Sequence, residues 1–122
     1  MLNKRLNLQM QELSVIQKTY DLIKWYVPIL NRLPKNHKYT LGTRTTEMLY
    51  QILEDLIRTK FAKQKQEKLE EINISLTCLR YQTRLLYDFS LFSVQRYEFV
   101  SNQIDDIGKE IGGWNKSLQQ KR

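Results

Sequence analysis

Arg80 and Arg84 stand four residues apart, in a stretch that carries no acidic residue from Ile72 until Asp88. On a helix that spacing puts both guanidiniums on one side. Each could then grip a phosphate through paired N–H donors. Tyr81 and Tyr87 lie nearby, and no acidic partner is evident within the helix. An ordinary solvated face, or pairing with another helix, would account for the same arginines. A second basic run, Arg32, Lys35, Lys38 and Arg44, falls where no acidic residue occurs between Asp21 and Glu47. It suits an anionic partner.

Catalytic chemistry is harder to assemble. Asp105 with Asp106, Glu70 with Glu71, and Asp88 are the carboxylates one would try. Neighbouring residues on a helix point about 100° apart, so neither pair converges on one substrate atom. His37 is the single histidine and Cys78 the single cysteine, which leaves no metal-ligand cluster and no Ser/His/Asp set. A glycine-rich phosphate loop is also missing. The expectation is a protein that is not an enzyme, with no cofactor, metal or small-molecule substrate. Cys78, inside a helical pattern, reads as a small buried apolar residue.

Four apolar-periodic segments must position these groups. In the first, Val15, Thr19, Leu22, Tyr26, Ile29 and Leu33 recur at helical spacing, beside a second stripe of Ile16, Tyr20, Ile23, Val27 and Leu30. Ser14 with Gln17 resembles a capping box at its start, and residues 1–12 read as a weakly ordered lead-in. Pro28 predicts a kink, and Pro34 ends the segment. The second helix is expected from Thr40, as N-cap, to about Gln64. It too has two stripes, Leu41, Met48, Ile52 and Leu56 beside Leu49, Leu53, Ile57 and Phe61. The cluster of Arg58, Lys60, Lys63, Lys65 and Lys68 fits a solvated turn.

The third helix, about Gln66 to Phe89, has Leu69, Ile72, Leu76, Leu79, Thr83 and Leu86 in strict three–four alternation. Ser93 is expected to cap the fourth, whose seam is Tyr97, Val100, Ile104, Ile107, Ile111, Trp114 and Leu118. Gly108, Gly112 and Gly113 suggest either close approach by a neighbouring helix or subunit, or a frayed end. Short joins between four such helices give an all-α, antiparallel up-down-up-down four-helix bundle, one domain over residues 13–122.

More apolar surface lies on the first two helices than one core needs, so a homo-oligomer is expected. The net charge of +7 fits nucleic acid, an anionic membrane surface or an acidic protein alike. Charged residues interrupt the most apolar window, and polar residues break up the N-terminal leucines. Neither a membrane span nor a signal peptide is expected, and the location is read as cytoplasmic.

Several segments carry a resemblance: Val15-Ile16-Gln17-Lys18-Thr19-Tyr20-Asp21-Leu22; Leu33-Pro34 with Tyr39-Thr40-Leu41-Gly42; Leu79-Arg80-Tyr81-Gln82-Thr83-Arg84-Leu85-Leu86; and Ile107-Gly108-Lys109-Glu110-Ile111-Gly112-Gly113-Trp114. In this order, from about residue 12 onward, they resemble the accessory variability determinant (Avd) family of diversity-generating retroelements. A sibling family, the four-helix proteins encoded in ribosomal RNA intervening sequences, shares the Leu-Gly corner and the glycine-rich end.

The resemblance implies a ring-shaped homo-oligomer, a homopentamer of four-helix protomers. It also implies a nucleic-acid-binding accessory protein that partners a reverse transcriptase, its RNA template and DNA in mutagenic cDNA synthesis. Lys18, Arg44 and Arg96, which share the similar segments or border the basic corner, join Arg80 and Arg84 as candidate nucleic-acid ligands. The alternatives are a structural oligomeric adaptor, or an intervening-sequence protein with no retroelement role.

Overall fold

The computed structural model describes residues 2–119, with backbone alone for residues 2–4 and 7. Four long helices dominate it: α1 (Leu2–Leu30), α3 (Thr43–Lys60), α4 (Lys65–Asp88) and α5 (Val94–Gln119). A three-residue turn of helix, α2 (Lys35–His37), and a π-helical turn over Lys38–Gly42 join α1 to α3. Each long helix packs against two others in the ring order α1, α3, α4, α5. Gln11 meets Ser117, Lys18 meets Glu110 and Trp25 meets Phe99, so α1 and α5 run antiparallel. Arg80 with Asp105 and Tyr87 with Tyr97 show the same for α4 and α5. Among the described residues there are no strands, and the fold is the expected up-down-up-down bundle.

The seams close the core as their spacing requires. All six seam positions of α4 are buried, and so are Val100, Ile104, Ile107, Ile111 and Trp114 on α5. Threonines sit in this interior because their hydroxyls find partners. Thr19, Thr45 and Thr59 donate to the carbonyl four residues back at 2.8, 2.8 and 2.6 Å. Thr83 shares a 2.8 Å hydrogen bond with the Tyr26 hydroxyl, joining the diagonal helices α1 and α4 through the centre of the bundle.

That contact makes stability depend on pH. Burial pushes the Tyr26 phenol well above its ordinary pKa, and the bond to Thr83 offsets only part of the shift. A folded pKa above the unfolded value means the contribution is fully present below about pH 10 and is lost as pH rises further. Urea midpoints should therefore hold until about pH 10 and then fall. Tyr26→Phe should lower the midpoint at neutral pH and reduce the steepness of that alkaline fall.

Several expectations are corrected. Residues 2–12, expected as a lead-in without assigned structure, form the first turns of α1, and Met1 and residues 120–122 lie outside the described residues. Tertiary contacts hold this stretch. Leu8 is buried, Gln11 accepts from the Ser117 hydroxyl at 2.9 Å, and the buried Glu12 lies 3.7 Å from the Lys65 ammonium. Ser14 is consequently mid-helix and caps nothing.

Thr40 is not an N-cap either. It lies within the π turn and donates back to the Asn36 carbonyl at 3.1 Å. Gly42 permits the tight winding of this turn, since a Cβ there would come within 3.2 Å of the His37 carbonyl oxygen and 3.3 Å of the Leu33 side chain. At the glycine-rich end the situation differs, because a Cβ at Gly112 would meet nothing within 4 Å. Ser93 does cap α5, accepting from the Arg96 N–H at 3.1 Å.

The double stripes are partly absorbed. Ile23, Leu30 and Leu49 of the second stripes enter the core, while Tyr20, Ile57 and Phe61 stay exposed, as do Leu6, Met10 and Leu13 on α1 and Tyr50 on α3. Cys78 is exposed, not buried. It stands in an outward row on α4 with Ile74, Tyr81 and Leu85, opposite the buried seam.

Candidate nucleic-acid interface

In an up-down-up-down bundle the first and third joins fall at the same end. Here the α1–α3 corner and the α4–α5 turn meet there, the His37 and Phe89 rings lying 5.4 Å apart. The corner bears Arg32, Lys35 and Lys38, and none of the three forms a salt bridge among the described residues. Across the joint, the Arg96 guanidinium lies over the Phe92 ring at 5.9 Å, and Phe92 is itself packed on Tyr26. The Lys38 ammonium sits 5.5 Å from the Tyr39 ring centre. This end of the molecule thus interleaves cations with the exposed rings of Tyr39 and Phe89.

The α4–α5 turn is held by its backbone. Ser90 takes a left-handed conformation, with φ of 60°, while the Leu91 and Phe92 N–H groups donate to the Leu86 carbonyl at 2.8 and 3.2 Å. That closure turns Phe92 inward and leaves Phe89 outside.

The five candidate residues do not share one patch. Arg44 opens α3 on the side facing α4, beside Gln82. Lys18 lies along the α1–α5 groove, 3.0 Å from Glu110. Hydrogen bonding and charge from that carboxylate raise the Lys18 pKa, against a small opposing effect of burial and with a further contribution from Asp106.

Arg80 and Arg84 are not unpaired. Arg80 Nε reaches Asp105 on α5 at 3.4 Å, and Arg84 Nε reaches Asp88 at 3.3 Å. Asp88 holds Arg84 still more firmly protonated, chiefly through this hydrogen bond and its charge, with Tyr97 adding to the effect. All four groups remain largely open to water, so each pair is worth little.

Two of these relations could have been read from spacing. Asp88 is four residues beyond Arg84, the ordinary helical ion-pair distance. Gly108 lies three residues beyond Asp105, and a Cβ there would stand 3.0 Å from the Arg80 guanidinium, so the glycine opens the notch through which Arg80 reaches across. The meeting of Phe89 and Arg96 with the basic corner carries no local signal and follows only from the topology.

The opposite end is also basic. Arg58, Lys60 and Lys63 make no salt bridge there among the described residues, whereas Lys65 is engaged by Glu12 and Lys68 by Glu71. Among the described residues no group of three or more His, Cys, Asp or Glu side chains could hold a metal ion. No described helix is long and apolar enough to cross a membrane. A family model described as bAvd-like matches residues 13–118 of the chain. No curated protein matches it.

Proposed function

The chain belongs to the bAvd-like family, and from that premise we propose that it is a nucleic-acid-binding accessory protein of a diversity-generating retroelement. In this role it binds the template RNA, and DNA copied from it, and partners a reverse transcriptase without catalysing a reaction itself. The observation that carries the reading is the helix end where Arg32, Lys35, Lys38 and Arg96 have no salt-bridge partner among the described residues and share the surface with the exposed rings of Tyr39 and Phe89. Phosphates supply the charge these side chains lack, and binding would release the counterions condensed on the strand.

Assembly amplifies the effect. The exposed apolar surface shared by α1 and α3 and the outward row on α4 lie on different sides of the bundle. Two unlike patches favour head-to-tail contacts, which close into a ring when the rotation permits. Such a ring, a pentamer by family likeness, would repeat the basic helix end around its circumference. Lys18, Arg44, Arg80 and Arg84 would then serve as flanking contacts along the strand.

Fluorescence anisotropy of labelled single-stranded RNA, titrated at several salt concentrations, tests the reading. Affinity should fall linearly with salt on logarithmic axes, by about 0.7 in slope per phosphate neutralised. Lys35→Ala/Lys38→Ala should lower the slope by more than one unit per binding site, because both ammoniums are free to contact phosphate. Arg80→Ala/Arg84→Ala should change it less, since each arginine must first leave a carboxylate. Absence of salt-dependent binding would overturn the proposal. A second reading, an adaptor whose cations meet the reverse transcriptase directly, draws on the exposed apolar faces and would then be favoured if the polymerase still co-purified.

A further inference from the structure

Between the end of α1 and the start of α3, adjoining the basic corner, lies a groove of 240 Å³. Tyr39 and Tyr50 line it, with Lys38, Asn31 and Glu47 contributing polar groups and Leu30 an apolar one. It falls below the roughly 300–1,000 Å³ usual for whole small-molecule ligands, and suits one planar ring system. The π turn creates it. That turn interrupts the regular helical register between α2 and α3, and Tyr39 within it is 64% exposed. Neither tyrosine hydroxyl has a hydrogen-bond partner among the described residues that would explain its exposed position.

We propose that this groove receives a single unpaired nucleobase, with Tyr39 and Tyr50 supplying the ring faces and Lys38 holding the adjoining phosphate. The inference rests on the nucleic-acid reading above and adds to it a preference for unstacked bases. Charge complementarity selects this occupant, because Lys38 lines the groove and belongs to the same corner as Arg32 and Lys35, with Glu47 the one carboxylate among the lining residues. Aromatic platforms beside a basic track are how proteins hold single strands, since a duplex keeps its base faces covered. Asn31 offers both donor and acceptor, and Glu47 an acceptor, to the edge of the seated base.

Anisotropy of the full chain with three labelled probes provides the test: an oligodeoxyadenylate, an abasic strand of equal length, and a duplex. The base-bearing single strand should bind more tightly than the other two. Tyr39→Ala/Tyr50→Ala should remove about five- to hundred-fold of its affinity while leaving the abasic strand unaffected. Tyr39→Phe/Tyr50→Phe should retain the preference. Equal binding of base-bearing and abasic strands by the unaltered protein would overturn the groove but leave the proposed function standing. So would a preference that survives the double alanine change. A shift of assembly state in that variant, seen by light scattering, would assign the groove to a second copy of the chain and also overturn the proposal. Failure to bind any strand at low salt would remove both readings together.

Discussion

Trp114→Ala should cost about 3–5 kcal/mol, a large part of the roughly 5–15 kcal/mol by which a domain of this size is folded. Trp114 heads the fully buried side chains by volume and is wholly excluded from solvent. It sits on α5 directly after Gly112 and Gly113, so the backbone before it offers no side chain to collapse into the space. The loss is one of packing, since the indole Nε1 has no hydrogen-bond partner among the described residues. Trp114→Phe separates these contributions. It gives up part of the contact area but removes a buried donor whose desolvation costs about 1–3 kcal/mol, and it should therefore be much milder than alanine. Urea unfolding followed by circular dichroism would measure both. Equal losses for Phe and Ala would show that the indole itself, and not the buried volume it shares in part with a phenyl ring, holds α5 in place.

The elements easiest to read were those whose faces have one task. The α4 seam from Leu69 to Leu86 and the α5 seam from Val100 to Trp114 are buried position by position as their alternation predicts, because each meets the core and nothing else. The start of α1 was illegible for the opposite reason. Asn3, Lys4, Asn7 and Gln9 give no stripe, and the helix there buries Leu8 while Gln11 and Glu12 reach partners more than fifty positions away. Thr40 has the residue type of a cap, yet the chain winds tightly between His37 and Gly42, where only a glycine fits without crowding, and Thr40 lies inside that π turn donating back to Asn36. The basic corner and its Tyr39 are visible in one stretch of sequence, whereas the approach of Phe89 and Arg96 to it is not, since they come from a segment far along the chain. Cys78 illustrates the limit of helical pattern alone: it shares its row with Ile74, Tyr81 and Leu85, and that apolar row faces outward.

If head-to-tail assembly is correct, charging either apolar patch alone should reduce the protein to a 14.7 kDa monomer. Leu13→Glu/Phe61→Glu places carboxylates on the α1–α3 face, where Phe61 is 78% exposed and has nothing to lose by way of core packing. Ile74→Glu/Tyr81→Glu does the same on α4, where the two residues are 67% and 70% exposed. Both variants should keep their helicity and urea midpoints as bundles, because all four positions lie outside the core. Mixing them is the decisive step. Each retains the patch the other has lost, so one unaltered α1–α3 face can meet one unaltered α4 row, and light scattering should show dimers that grow no further. A self-complementary contact would behave differently, one variant remaining oligomeric while the other dissociates and mixing restores nothing. The consequence for nucleic acid is large. Separate basic ends joined in one assembly act at high effective concentration, and their combined affinity can exceed that of a single end by about 10²–10⁴. Each monomeric variant should lose affinity on that scale for long RNA and much less for a strand too short to span two ends, though neither has lost a cation from the corner.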